Sequence, residues 1–529
     1  MKRSHGIFIR SLTAIGIVVP GLLMSTPARA QGAQAQARAA AAYNAYNAAF
    51  LVQLNGQAYY ADTLTSVGIQ PQAEWGGALA ITVAEDAYQH THNQADRNLV
   101  ISLLNNLAYF NGPGSLFGNW QTDGWDDNLA WMVNAFLRGY QLTGVSTYLI
   151  EAEAGWNNVY NQGWDTTVAG GGIWENTDKG SKCALSNDPF VFEGVQLYQA
   201  TGDSTYLTKA ETIYSWVRST LFVSSSSSNV PGAPGQIHGC VDNKGMLQST
   251  TDDNVYDSGA FLTAANDLYR VTGNQSYYND ALLAADHIVN EGPILHSDYE
   301  APGNQWAYWF TFGLSQFATD ANLWPEYHAW LLGNANAAWR ERNSLNLTWN
   351  NWVGPTNDAG TDAMEMSSAA AIWQHLPPAS VKLSGTYEIQ NVASNLALSV
   401  SDGSSADNAT LIQSPFSESA PDQRWTFEPT SGGYCQIRNV NSGLVVNVSG
   451  ASAISGAGIV QSPAQGMIPG SDQWLPALNP EDGTYSFYNL NSLQALEDPA
   501  ESSTSGTQLD QWFGNSTTAQ KFFLVRLSK

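Results

Sequence analysis

Basic residues are scarce in this chain. Lys and Arg number 21 against 46 Asp and Glu, and the net charge is −25. That balance argues against nucleic acid and anionic membrane as partners, since both recruit Lys and Arg. Charge of either sign is thin, at 13% of residues, so the polar surface falls to Asn, Gln, Ser and Thr. Cysteine is rarer still: three residues, with no metal-ligand spacing. His238-x-Cys240 is the nearest thing to a ligand pair, and neither metal nor cofactor is expected. Beyond the N-terminus no run is long and apolar enough to span a bilayer, so no membrane insertion is expected. Tryptophan, by contrast, is plentiful, with 19 residues. Indoles among many neutral hydrogen-bonding groups suit a neutral polymer such as a polysaccharide, bound by a monomer.

Residues 1–30 have the layout of a cleaved secretory signal. Lys2, Arg3 and Arg10 precede a short apolar run, and Ala28-Arg29-Ala30 stands before Gln31. A secreted or periplasmic location follows. In an oxidising compartment Cys183 and Cys240, both in predicted loops, are the expected disulfide pair. Cys435 is left over and expected to be buried.

Apolar spacing predicts twelve helices. They cover about 32–60, 75–92, 94–110, 126–142, 146–162, 187–200, 204–222, 253–271, 276–290, 304–318, 325–342 and 362–376. A repeat runs through them. Tyr140-Gln-Leu-Thr-Gly144-x-x-x-Tyr148 recurs as Tyr198-Gln-Ala-Thr-Gly202-x-x-x-Tyr206 and as Tyr269-Arg-Val-Thr-Gly273-x-x-x-Tyr277. Each copy is a helix closed by Gly, a short turn and an aromatic opening the next helix. Repeated hairpins stack, and six of them suggest an (α/α)6 toroid with the even-numbered helices inside. The starts of those helices are polar and aromatic, and long loops feed them: 111–125, 163–186, 224–251 and 349–361. Loops of that length in a compact domain are usually functional.

One such start is Thr122-Asp123-Gly124-Trp125-Asp126-Asp127. Capping and the helix dipole call for one carboxylate at a helix N-terminus. The second is surplus, and repulsion between neighbours raises the pKa of one. One ionised and one protonated carboxyl is the state glycoside hydrolysis requires. Trp125 and Trp131 flank the pair.

After Pro377-Pro378 the pattern changes to short alternating strands repeating about every 48 residues. Gln423-Arg-Trp425, Asp472-Gln-Trp474 and Gln520-Lys-Phe522 mark the ends of three units. Three such units make a β-trefoil. The expected layout is therefore multidomain: signal 1–30, all-α toroid 31–377, linker 378–383 and all-β trefoil 384–529.

The helical part resembles glycoside hydrolase family 76, the α-1,6-mannanases and related transglycosidases. The likeness rests on Trp125-Asp126-Asp127-x-x-x-Trp131 with the downstream Thr143-Gly144, and on Gly170-Gly171-Gly172-Ile173-Trp174. Ala184-Leu185-Ser186-Asn187 and Asn334-Ala335-x-x-Ala338-Trp339 add to it. The resemblance implies a retaining enzyme with Asp126 as nucleophile and Asp127 as acid/base. Glu175 stands where many relatives have a second Trp, and Tyr256-Asp257-Ser258-Gly259 replaces the usual Tyr-Asn-Gln-Gly. Trp125, Trp174, Asn187, Asp188, Asp253, Tyr256, Asp257 and Trp306 are the candidate substrate contacts. The C-terminal part resembles ricin-B-type lectins. Early-strand positions there are Ser399, Asn447 and Glu497-Asp498, so only the third unit offers a carboxylate. Asp498, Asp510, Trp512 and Asn515 make its candidate sugar site. The leading expectation is a secreted endo-α-1,6-mannanase with a lectin module. A transglycosidase, a glycosidase on another α-linked glycan and a non-catalytic glycan-binding scaffold stand as alternatives.

Overall fold

A computed structural model describes residues 25–226, 228–250, 254–295, 307–358, 362–378, 383–479 and 482–527. The predicted signal up to residue 24, Asp253 and Trp306 lie outside the described residues.

The N-terminal domain has twelve helices among the described residues: α1 (Ser25–Phe50), α2 (Glu74–Thr91), α3 (Gln94–Phe110), α4 (Asp126–Thr143), α5 (Ser146–Gly163), α6 (Asp188–Thr201), α7 (Ser204–Thr220), α8 (Val255–Thr272), α9 (Gln275–Glu291), α10 (Ala307–Asp320), α11 (Trp324–Arg340) and α12 (Ala363–Ala371). The even-numbered helices form a closed ring. Each packs on the next, and α12 returns to α2. They are buried along most of their length, whereas α3, α5, α7, α9 and α11 bury one face. Composition sets this division. The inner helices use Ala and Gly where neighbours crowd, and the outer ones turn Asn, Gln, Glu and Lys to water.

The repeat has a physical reason. Gly144, Gly202 and Gly273 close α4, α6 and α8 in the left-handed conformation, with φ of 73°, 76° and 67°. The tyrosine that follows each turn reaches back to the preceding outer helix. Tyr148 donates to Asn105 Oδ1, Tyr206 to Glu153 Oε1 and Tyr277 to Glu211 Oε1, at 2.9, 3.0 and 3.4 Å. Each hairpin is thus pinned to its neighbour by one phenol.

Two expectations need correction. Helix α1 stops at Phe50, and residues expected to continue it form a hairpin, β1 (Leu51–Leu54) with β2 (Gln57–Tyr60). Asn55-Gly56, both at positive φ, makes the two-residue turn that ends the helical run. The last helix is also shorter than its apolar pattern suggested, ending at Ala371.

The C-terminal domain has three four-stranded units. Their strands are Tyr387–Asn391, Ala397–Val400, Leu411–Ser414 and Trp425–Pro429; Cys435–Asn439, Val445–Val448, Ile459–Ser462 and Trp474–Leu478; Tyr485–Asn489, Ala495–Glu497, Asp510–Trp512 and Phe522–Arg526. The last strand of each unit pairs antiparallel with the first of the next, and Phe522–Arg526 closes on Tyr387–Asn391. Trp425, Trp474 and Phe522 fill the core. The threefold repeat extends to side-chain bonds. Gln413, Gln461 and Gln511 each donate to two main-chain carbonyls of a neighbouring unit. The fold is an (α/α)6 toroid followed by a β-trefoil.

The trefoil rests on the end of the toroid where the inner helices finish. Tyr88 Oη donates to Gly514 O at 3.1 Å, and the His92 ring stacks on Tyr488. The Tyr140 ring meets Phe513 at 5.2 Å, and Arg270 Nη2 donates to the carbonyls of Leu490 and Asn491. The opposite end, where the inner helices begin, is left to the long loops.

Candidate active site

At that open end Trp125 is the N-cap of α4, and Asp126 and Asp127 are its first two residues. The segment following α5 holds them. Trp125 forms a β-bridge with Asn176, Thr177 N–H donates to Gly124 O, and Asp126 N–H donates to Glu175 O at 2.8 Å. The aspartate pair is thus hung on the segment carrying Trp174 and Glu175. Asp126 is 2% exposed, and Gln162 Nε2 donates to its Oδ1 at 3.0 Å. Gly163 packs against its other oxygen so closely that a Cβ there would lie 2.6 Å from Oδ2. Asp127 is half-buried, and its Oδ1 has no hydrogen-bond partner.

Burial lifts both carboxyls to about 7. Their neighbours then separate them. For Asp126 the next cause is the Gln162 bond, which favours the ion; for Asp127 it is the Glu175 charge, which opposes it. Titration near 7 belongs to the pair, and backbone N–H bonds at Asp127 favour its ion in turn. Asp123 adds repulsion to both while accepting from Trp125 N–H and Asn128 Nδ2. Glu74, at the start of α2, is lifted to about 7 by burial and then by Asp123.

The other predicted contacts divide. Trp125 is 48% exposed beside the pair. Asp188, the first residue of α6, is fully buried with neither oxygen hydrogen-bonded, and burial followed by the charge of Asp257 raises its pKa well above the usual range. Asp257 lies in the first turn of α8, and Tyr256 precedes it. Two of the candidates serve the scaffold. Asn187 is fully buried and spends its amide on Ile173 N–H, Ile173 O and Cys183 O. Trp174 is buried with Lys182 Nζ over its ring at 4.6 Å. Lys182 is itself enclosed, donating to the carbonyls of Asp165, Val168 and Gly171.

Cys183 and Cys240 are joined by a disulfide across the strand pair β3 (Ser181–Cys183) and β4 (Cys240–Asp242), and Cys435 is free and buried. A Glu175 carboxylate oxygen and both sulfurs lie within 4.8 Å of one another. With the sulfurs bonded to each other, they are no metal ligands. Gln162, Gly163 and Glu74 are neighbours of the site that the sequence reading does not name, whereas Asp123 and Glu175 are named there without a role.

In the trefoil, Ser399 donates to Asp422 and Asn447 Nδ2 to Ser462, while Asn447 Oδ1 is left without a partner. In the third, Glu497 accepts from Gln520, while Asp498 is buried with both oxygens unpartnered. Burial pushes Asp498 up to about 6 and Asp510 to about 7. Trp512, 43% exposed, stands on the same strand as Asp510. Asn515 Oδ1 accepts from Thr517.

Paired carboxyls at the mouth of a helical toroid, with an indole beside them, are the equipment of a glycoside hydrolase. A family model for glycosyl hydrolase family 76 matches residues 35–383, and one for ricin-type β-trefoil lectin domains matches residues 369–462. The chain belongs to glycosyl hydrolase family 76. Solved structures of similar fold include an α-1,6-mannanase of Salegentibacter sp. HEL1_6, an inactive variant in complex with α-1,6-mannotetrose. It is 24% identical, covers 64% of this chain and 98% of its own, and has a TM-score of 0.56. A family 76 mannosidase of Bacteroides thetaiotaomicron is 18% identical over 64% of this chain and 97% of its own, with a TM-score of 0.54. No curated protein sequence matches the chain. Among the described residues no helix is long and apolar enough to cross a membrane.

Proposed function

We propose that the protein is an exported endo-α-1,6-mannanase that retains anomeric configuration, with Asp126 as nucleophile and Asp127 as acid/base. The observation that carries this reading is the unequal surroundings of two adjacent carboxyls. Asp126 has an amide donor and the positive end of α4, both of which favour the ion. Asp127 has an anionic neighbour that favours the proton, set against backbone N–H bonds that favour the ion, and one oxygen left without a partner. Asp126 attacks the anomeric carbon while Asp127 gives its proton to the leaving oxygen. Asp127 then takes a proton from the water that opens the glycosyl ester, and both groups return to their starting states. Trp125 offers an indole face to a sugar ring. The Salegentibacter α-1,6-mannanase was rendered inactive with two adjacent aspartates replaced, which supports the assignment.

The trefoil serves as a glycan anchor through its third unit, where the Asp498 carboxyl is unpartnered and the Trp512 indole is exposed. The test is incubation with a panel of α-mannans and α-glucans, following released oligosaccharides and their first-formed anomer by NMR. Wild type should act on α-1,6-mannan and release the α anomer, with a bell-shaped pH profile centred near 7. Asp126→Asn and Asp127→Asn should each lose at least ~100-fold in kcat at unchanged melting temperature. Release from α-glucan alone, or an inverted first product, sinks the reading; longer products on adding acceptor oligosaccharide would turn it to transglycosylation.

A further inference from the structure

Among the described residues, every exposed large apolar side chain of the toroid except Ile150 lies in the last turn of an outer helix or in the connection from it to the next inner helix. That end is the mouth holding the aspartate pair. Single exposed apolar residues are ordinary on any surface, but a contiguous set marks a binding face. Part of this set is contiguous. The Phe110 ring meets those of Tyr59 and Tyr109, each at 5.4 Å between centroids. Tyr59 Oη donates to Ile69 O at 2.9 Å. Phe117 N–H donates to Phe110 O at 3.0 Å, bringing the Leu116 turn back to the end of α3. Tyr109 is 66% exposed and Leu116 62%.

This face is joined to the catalytic turn. Asn111 follows Phe110 and is fully buried. Its Oδ1 accepts from Glu74 N–H at 3.1 Å, and its main-chain oxygen accepts from Trp120 N–H at 2.9 Å. Asp123 N–H donates to Trp120 O at 3.1 Å, and Asp123 Oδ1 accepts from Trp125 N–H. The aromatic face and the aspartate pair thus stand at the two ends of one pinned connection. The surroundings are nearly uncharged. Residues 39–73 hold a single charge, Asp62, and residues 98–122 hold none, in a chain of net charge −25. Exposed Asn55, Gln57 and Gln70 supply neutral hydrogen-bonding groups instead. Phenols and amides with little field around them suit a neutral chain of sugars, whereas a polyanion or a basic peptide would find little countercharge.

We propose that Tyr59, Tyr109, Ile69 and Leu116, with Phe110 between the two phenols, form a rim subsite that grips the polysaccharide away from the bond being cut. The inference rests on the glycosidase reading above and adds to it the length of substrate engaged. An endo-acting site accepts a chain that continues past the scissile bond in both directions, so the polymer has to cross the rim. Trp125 meets it beside the pair, and Tyr109 meets it one connection farther out.

The test is the kinetics of the full chain and of Tyr109→Ala on long α-1,6-mannan and on the shortest oligosaccharide that is cleaved. The variant should raise KM on the long chain roughly five- to tenfold with kcat kept, and the effect should fade as the substrate shortens. Tyr109→Phe, which keeps the ring, should restore most of the loss. Ile150→Ala, exposed at the other end of the toroid, is the control. A KM that does not move on the long chain, or moves equally on both substrates, overturns the proposal. A wild-type protein that releases nothing from mannan sinks the activity assignment instead. The rim is then read by ¹⁹F NMR of the full chain carrying 3-fluorotyrosine, with the Tyr109 signal assigned by its loss in Tyr109→Phe. Long neutral glycans, α-mannan or α-glucan, should shift that signal, and a polyuronate should not. A signal that ignores both glycans or follows the polyuronate as well, or self-association that Tyr109→Ala abolishes in sedimentation, would overturn the role of the rim.

Discussion

Gly163 gives the sharpest test of the site's geometry. It is the last residue of α5, and its φ is outside the left-handed region, so alanine is acceptable to its backbone. Space is what forbids a side chain. A Cβ there would sit 2.6 Å from Asp126 Oδ2 and 2.8 Å from Ile173 Cγ2. Ordinary contact for such atoms begins near ~3.4 Å, so something must give by several tenths of an ångström on each side. Ile173 is fully buried and cannot retreat, which leaves the Asp126 carboxylate to move. It is also the softer partner, its other oxygen held by one Gln162 bond. Displacing a reacting group by about 1 Å costs ~10²-fold, or about 2.7 kcal/mol of barrier, whereas overpacking costs about 1–3 kcal/mol of stability. Gly163→Ala should therefore lower kcat on mannan ~100-fold with KM little changed, and lower the melting temperature by a few degrees. Gly180→Ala, on the same segment, meets nothing within 4 Å and is the control. Full activity in Gly163→Ala, measured by reducing-end release beside the control, would refute the placement of Asp126 against α5.

Two further outcomes follow. Glu193 lies fully buried inside the ring with neither oxygen bonded, and burial raises its pKa well above the ordinary value. The unfolded group ionises near ~4.3 and the folded one much later, so the folded state holds the extra proton between the two. Stability is then full below the unfolded pKa and falls as pH rises above it. Glu193→Gln should raise the melting temperature more at pH 8 than at pH 4.5, and equal gains at both would contradict this. In the trefoil, Trp512→Ala in the full chain should abolish retention on immobilised mannan while the melting curve and the hydrolysis of soluble oligosaccharides stay unchanged; retention equal to wild type would move the glycan site elsewhere.

Much of this architecture could be read from the chain. Helical periodicity, Gly at the C-caps and the recurring tyrosine are local signals, and they locate the inner helices within a few residues, except for the end of α12. The Asp126-Asp127 start was legible because two acids exceed what a cap needs. Harder to see was where the pair's partners come from. Gln162 and Gly163 end the outer helix α5, and Glu175 sits on the segment beyond it; none shares a motif with Asp126. Only tertiary folding brings them together, and periodicity is silent about it. The hairpin of β1 and β2 is hidden in the sequence because an Ala-rich helix with aromatics at helical spacing runs straight into it, leaving Asn55-Gly56 as its one local signal. Asn187 and Trp174 looked like substrate contacts by residue type. Burial and hydrogen bonding give Asn187 to the scaffold and place Trp174 over an enclosed lysine.

Helix α4 carries Asp127 at one end and Tyr140, packed on Phe513 of the trefoil, near the other. Thirteen residues of helix separate them, about 20 Å at 1.5 Å per residue. Trp512 is the neighbour of Phe513, so the proposed glycan site and the proposed cleavage site stand at opposite ends of α4. A single polysaccharide strand can reach both only by bending round the toroid. In a dense, insoluble mesh the easier arrangement is to grip one strand and sever another. An enzyme built this way loosens its own foothold last, and its gain from the lectin should be large on walls and gels and absent on short, freely diffusing oligosaccharides.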